Sequence, residues 1–274
     1  MFDAVFLFRD ALYGALVIAL ACSTLSVYVV LRRIVFVGAA LAQLSSAGIA
    51  LALWLGGMGV ALGVTSHPIA TSLIVTLAGG LFFGVAGGRG RIPPDATIGT
   101  TYAVAGAAGI LLIAKAVVGE VHDIFLSGNI LGITRTDTYV LLAVSVPVLL
   151  LHLVFYKEFL FVSFDRETAR AVGYNVTLWN LLLYLTLGLV IAFAMQFAGV
   201  MLVFNFLVLP AVTGLLIARS VGGMFAWAIG AGLVAALMGF SLSVPFDLPS
   251  GPTIIAVSGV IVLVAWLVRL AQRR

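Results

Sequence analysis

Lys157–Asn175, KEFLFVSFDRETARAVGYN, is a short polar island between long apolar runs in a chain that is 63% hydrophobic. Six of the 24 charged residues fall in it: Lys157, Glu158, Asp165, Arg166, Glu167 and Arg170. Ser163 or Asp165 is placed to cap a helix, with Glu167 in its first turn and Arg170 near its end, the order that the helix dipole favours. Gly173 and Asn175 would then stop it. The pattern predicts a short amphipathic helix lying across the mouth of a membrane bundle. Ala169 and Gly173 are small and about one helical turn apart, which leaves room for a partner surface to approach the backbone. The competing reading of the same residues is a solvated loop that only joins two spans.

Outward from the island the chain is lipid-like. Its mean hydropathy is +1.26 and 9% of its residues are charged, against about 25% in a soluble globular domain. A hydrocarbon core takes about 20 apolar helical residues to cross, and nine stretches fit: about 11–31, 35–56, 67–87, 96–116, 136–156, 176–197, 200–218, 223–243 and 252–270. The stretch 176–218 can also be read as broken helices, so the count is eight or nine. The first run follows Arg9 and lacks a small-residue cleavage site, so it reads as a retained span and not a removed signal peptide. The expected fold is an all-α polytopic membrane protein, one transmembrane domain over residues 1–274.

Charge orients it. Arg32, Arg33, Arg89, Arg91, Lys157, Arg166, Arg170, Arg219, Arg269, Arg273 and Arg274 fall between alternate spans or at the C-terminus, on one side of the membrane. Arg9, Lys115 and Arg135 fall on the other. The positive-inside rule puts the larger set, and the polar island, in the cytoplasm, with the N-terminus outside and the C-terminus inside. A net charge of +4 calls for no nucleic-acid partner. Val117–Thr134, VVGEVHDIFLSGNILGIT, is too polar to span and too apolar for a plain loop, so it reads as re-entrant or interfacial. Phe246–Pro252, FDLPSGP, is a Pro/Gly turn between the last two spans.

Several chemistries have no residues to run on. There is no G-x-x-x-x-G-K-[ST] loop to bind a nucleotide, no G-x-S-x-G elbow and no H-E-x-x-H helix. Cys22 is the single cysteine. The histidines His67, His122 and His152 are scattered, and no carboxylate pair lies at helical spacing inside a span, which leaves a proton or sodium relay little to work with. His67 reads as a surface residue, His122 with Asp123 as interface polarity or an entry gate, and His152 as bonded to backbone or lipid interface. Gln196 reads as interfacial. Pro210 marks an expected kink, where Asn205 would face exposed carbonyls or bond a neighbouring helix.

Five patches, in order, resemble the membrane subunit of the zinc/manganese/iron type of ATP-binding-cassette importer. Arg33–Gly48, RIVFVGAALAQLSSAG, stands where that family has Gly-Asp-Ala-Leu-Ser-His. Pro94–Gly109, PDATIGTTYAVAGAAG, is similar to its D-x-x-I-G segment. Asp123–Leu131, DIFLSGNIL, is similar to its D-[LI]-x-x-x-L-F-G-[ND]-I-L stretch, with shorter spacing. Asp165–Gly173, DRETARAVG, looks like its ATPase-coupling segment, and Gly199–Gly214, GVMLVFNFLVLPAVTG, like its G-x-L-L-V-x-A-L-L-V-x-P-A-A-T-A run.

The resemblance implies a permease in a bacterial or archaeal cytoplasmic membrane, paired with a second copy, with no cofactor of its own. Cytoplasmic ATPase subunits carrying ATP and Mg would dock on the coupling segment, about 158–174, through Asp165, Arg166, Glu167, Ala169, Arg170 and Gly173. A periplasmic or lipid-anchored binding protein would deliver the substrate. One departure stands out. The family's Asp and His, one helical turn apart and able to offer a carboxylate and an imidazole to a divalent cation, are Ala39 and Gln43 here. Three readings follow: a weaker metal path through Gln43, Ser45, Ser46 and Asn205, a different metal or a metal complex, or a non-metal solute. A membrane scaffold or sensor for an ATPase is the alternative from another class.

Overall fold

The computed structural model describes residues 8–58, 67–86, 93–115 and 130–272. The elements are α1 Arg9–Leu31, α2 Val37–Gly57, α3 Pro68–Ala86, α4 Pro94–Lys115, a 3-10 turn at Ile130–Gly132, α5 Arg135–Val154, α6 Tyr156–Phe164, α7 Arg166–Ala171, α8 Val176–Ile217, α9 Val221–Ser243 and α10 Ser250–Ala271. Among the described residues there is no strand, and eight helices are long and apolar enough to cross a membrane.

The longest of them settles the span count. A straight helix of 42 residues would measure about 63 Å, twice a hydrocarbon core of about 30 Å. Instead α8 is broken at Gly199, whose φ of 72° and ψ of 167° belong to a backbone region that is essentially glycine-only. Both ends of α8 lie at the same end of the bundle. Asn180, near its start, accepts a hydrogen bond from Arg32 at the end of α1. Ala218, just past its end, packs with neighbouring Leu31 against Val27 and Met224. The chain therefore crosses, turns at Gly199 and returns, giving nine crossings from eight helices. The expected spans 176–197 and 200–218 meet at this corner. Pro210 lies within the returning half and is not the break, since the non-helical dihedrals fall at Gly199; spanning helices tolerate a proline because neighbouring groups satisfy the freed carbonyl.

The rest follows from close packing. α1 and α2 are the most buried spans, while α4 and α10 turn most of their apolar side chains outward, to lipid or another chain. Helices that are apolar on every side have no polar face to exclude, so contact is decided by where small residues let backbones meet. A β-carbon added at Gly48 of α2 would stand 2.7 Å from Ser72 Cα on α3, and one at Gly80 of α3 would stand 2.9 Å from the Tyr184 carbonyl on α8.

The start of the first helix and the end of the last lie on opposite sides, as an odd count requires. At one end Thr138 Oγ1 of α5 donates to the Asp10 carbonyl of α1 at 3.2 Å. At the arginine-rich end Arg269 of α10 reaches the Leu215 carbonyl of α8. Of the expected re-entrant stretch only the end falls among the described residues: a 3-10 turn, with Ile130 and Ile133 buried. His122 and Asp123 lie outside them.

Candidate coupling face and substrate pathway

The polar island folds as two short helices. Asp165 ends α6 and caps α7: its carboxylate accepts from the backbone N–H of Glu167 and of Thr168 at 3.0 Å each, and from Thr168 Oγ1 at 2.5 Å. The Thr168 hydroxyl, then the Thr168 amide, hold the Asp165 carboxyl below its ordinary range. Gly173 stops α7 with φ of +97°, the left-handed conformation that favours glycine. Asn175 does not stop α7, as the pattern predicted; its side chain accepts from Leu178 N at 3.1 Å and starts α8. An Asx side chain serves an N-cap at least as readily as a stop.

The predicted coupling residues divide by direction. Ala169 is fully buried beside Val162 and Val176, with Phe161, Tyr174 and Trp179 packed around them. Its small side chain therefore lets α7 seat on its own bundle and is not open to a partner. Arg166 is half-buried and bonds back to Tyr184 of α8. Glu167 and Arg170 point outward, flanked by two exposed apolar side chains that the sequence reading missed, Phe164 at 57% and Val172 at 66% exposure.

The island is tied to the bundle by a residue that had registered only as a span boundary. Arg32 Nε donates to Ser163 Oγ of α6 at 2.8 Å, and Nη1 donates to Asn180 Oδ1 of α8. Ser163 passes its own hydrogen to the Phe159 carbonyl, leaving its oxygen free to accept. Nη2 is buried with no hydrogen-bond partner among the described residues. Burial first, then nearby Arg166, brings the Arg32 pKa down to about 10, so the guanidinium stays charged at neutral pH. A cleft of about 420 Å³ beside it is walled by Arg33, Pro94, Asp95, Phe164 and Glu167. The start of α4 thus borders the α6–α7 element as well.

The pathway candidates also separate. Ser45 is fully buried and shares a 2.7 Å hydrogen bond with Ser72 of α3. Asn205 is buried and donates to Ser258 Oγ of α10 at 3.1 Å, leaving its Oδ1 without a partner among the described residues. Both hold helices together. Gln43 and Ser46 are half-buried. The Gln43 carbonyl oxygen lies 3.5 Å from where a β-carbon on Gly106 of α4 would stand, so Gln43 is at the α2–α4 seam. Ala39, a turn earlier, is buried. No group of three His, Cys, Asp or Glu side chains able to hold a metal occurs among the described residues.

His67 is exposed, as expected, and Gln196 Nε2 donates to the Ala192 carbonyl at 3.2 Å. His152 is not at a lipid interface. It is buried, stacks on Phe159 with centroids 4.1 Å apart, and pairs Nε2 with Thr186 Oγ1 at 2.9 Å. Thr186 gives its hydrogen to the Leu183 carbonyl, so Nε2 carries the proton and donates.

Eight long apolar helices among the described residues, one of them turning back at Gly199, make a polytopic membrane protein. The model of the ABC 3 transport family matches residues 4–269, and the chain belongs to that family as a membrane subunit. It is 31% identical over 267 residues to the "Manganese import system permease protein ScaB" of Streptococcus gordonii, covering 97% of this chain and 92% of that protein. It is 30% identical over 257 residues to a "Probable iron transport system membrane protein" of Haemophilus influenzae, covering 94% of this chain and 92% of that one. Among solved structures, "PsaBC from Streptococcus pneumoniae in complex with Fab" superposes with a TM-score of 0.79 at 28% identity, covering 94% of this chain and 90% of that chain.

Proposed function

We propose that this chain is the membrane-spanning subunit of an ATP-driven importer in a cytoplasmic membrane and that its cargo is a divalent first-row metal ion or a complex of one. The observation that carries the reading is the α6–α7 element, capped by Asp165, stopped by Gly173 and keyed to α1 and α8 through Arg32. A separate ATPase, holding ATP and Mg, grips Phe164, Glu167, Arg170 and Val172. Its movement reaches the bundle through Arg32, because a guanidinium held at two points transmits displacement where a flexible loop would absorb it. Two copies pair around the path, and a periplasmic or lipid-anchored binding protein supplies the outer side.

Two relatives are named for manganese and for iron, which supports a metal cargo. The pathway chemistry favours the harder end of that range. Gln43 and Ser46 offer neutral oxygens and no imidazole or thiolate, a set that suits manganese better than zinc and holds neither tightly. Selectivity then rests with the delivering protein. The same lack of an anchoring side chain favours, as a second reading, a non-metal solute.

The test is ATP-driven uptake of manganese, iron(II) and zinc into proteoliposomes holding this chain with its ATPase. Three forms are compared: wild type, Gln43→His, and Ala39→Asp with Gln43→His. Wild type should move manganese or iron, and the double variant should shift preference toward zinc. If wild type moves no metal and only the double variant does, the cargo is not a metal.

A further inference from the structure

Arg9, Lys115 and Arg135 are the basic residues that the topology leaves on the outer side, and the fold brings two of them to one place. Arg9 begins α1, Arg135 begins α5, and both line a cleft of about 480 Å³ between these helices. Asp10 is the one carboxylate that lines it among the described residues, so their charges sum to a net positive rim. Tyr13 and Tyr139 are more than half exposed on the two walls, at the depth where amphipathic aromatic rings favour a membrane interface. The Arg135 guanidinium lies 5.9 Å from the centroid of the Tyr139 ring. That contact restrains one face of the fork and leaves its N–H edge for an anion.

Below the arginines the walls turn apolar, with Leu16 and Val17 on α1 and Leu142 on α5. From Arg9 to Val17 the cleft descends about 12 Å along the helix, well into the hydrocarbon layer. A protein docked on the outer face meets the arginines and stops at the interface. An occupant that fills the whole cleft needs an anionic head and a hydrocarbon chain. We propose that the α1–α5 cleft is a binding site for an anionic phospholipid of the outer leaflet, its phosphate between Arg9 and Arg135 and an acyl chain along Leu16, Val17 and Leu142. Basic pockets between spans bind anionic headgroups in this way.

Native mass spectrometry of the full chain with its ATPase tests this, with dioleoylphosphatidylglycerol and dioleoylphosphatidylcholine supplied equally. Wild type should retain the anionic lipid in preference by about tenfold, given two arginines offset by one aspartate. Arg9→Gln with Arg135→Gln should bring the ratio to about one. Leu142→Trp, which leaves the charges in place and sits at a partly exposed position, should lower retention of the anionic lipid by filling the groove. An even ratio in wild type overturns the proposal, and so does an unchanged preference in the arginine variant. Unaltered retention in Leu142→Trp reduces the site to surface charge and also overturns it. Loss of binding-protein capture in the arginine variant with lipid retention intact assigns the cleft to protein docking instead.

Discussion

At the scale of single residues, Arg32 and Asp165 do different work on the coupling element. Lysine in place of Arg32 keeps the charge but has no fork to reach Ser163 and Asn180 together. Arg32→Lys should therefore cut transport several-fold while the ATPase still hydrolyses ATP, read as uptake and phosphate release in the same proteoliposomes. Asp165→Ala should destabilise α7 through loss of its cap, and Asp165→Asn, which keeps an acceptor oxygen, much less. ATPase co-purification should fall in the first variant and hold in the second. Because the Asp165 pKa lies below its ordinary value in the folded chain, the cap is at full strength above the unfolded pKa of about 4. It is lost as pH falls through the lower folded value, so uptake measured from about pH 5 to about pH 8 should show no titration from this residue. The Asp165 cap and the Gly173 stop were legible in the sequence because both act within a few residues of themselves. The Arg32 bracket was not, since its partners lie 131 and 148 positions away and nothing local marks them.

At the scale of elements, a glycine corner and glycine seams decide how the spans meet. Gly199→Ala puts a β-carbon on a backbone conformation that costs about 1–3 kcal/mol for other residues. It should lower the thermal stability of the purified protein and, by opening the α8 hairpin, its transport. Gly48→Val should destabilise the α2–α3 contact by about 1–3 kcal/mol, as overpacking does, and be visible as a lower melting temperature. The spans themselves were readable, since apolar run length and flanking arginines are sequence properties. The corner between 197 and 200 was readable as well, because one helix cannot fit 42 residues across a bilayer. Which face of each span turns inward was not readable. A helix that is apolar on every side carries no polar stripe, so nothing local decided between a path and a helix–helix bond for Asn205, which bonds Ser258, or marked Ser45 as the partner of Ser72. Ala169 was hidden for another reason: α7 is a polar helix, and whether its one buried small residue faces the bundle or a partner depends on Val162 and Val176 from neighbouring elements.

At the scale of the whole molecule, the nine crossings put α6–α7 and the ends of α1, α3, α8 and α10 on the arginine-rich side. The outer side carries the cleft between Arg9 and Arg135. Arg32 bonds the α6–α7 element to α8 from the end of α1, and α1 and α8 are the helices against which most of the buried core is built; in the proposed coupling, a movement at α7 would pass into both. Gln43, at the α2–α4 seam, lies on a helix packed directly on that core. The account therefore makes this chain a mechanical link between ATP hydrolysis and a weakly ligating path. Family, fold and direction of the charges were in the sequence as ordered patches, while no path was legible, because Ala39 and Gln43 offer no charged or imidazole side chain to mark one. The most direct test is the number of manganese ions taken up per ATP hydrolysed in proteoliposomes, for wild type and for Arg170→Glu, a substitution at an exposed position on α7. The account predicts uptake that requires ATP in wild type, and hydrolysis with several-fold less uptake in Arg170→Glu. Uptake of equal rate without the ATPase, or a ratio unchanged in Arg170→Glu, would contradict it.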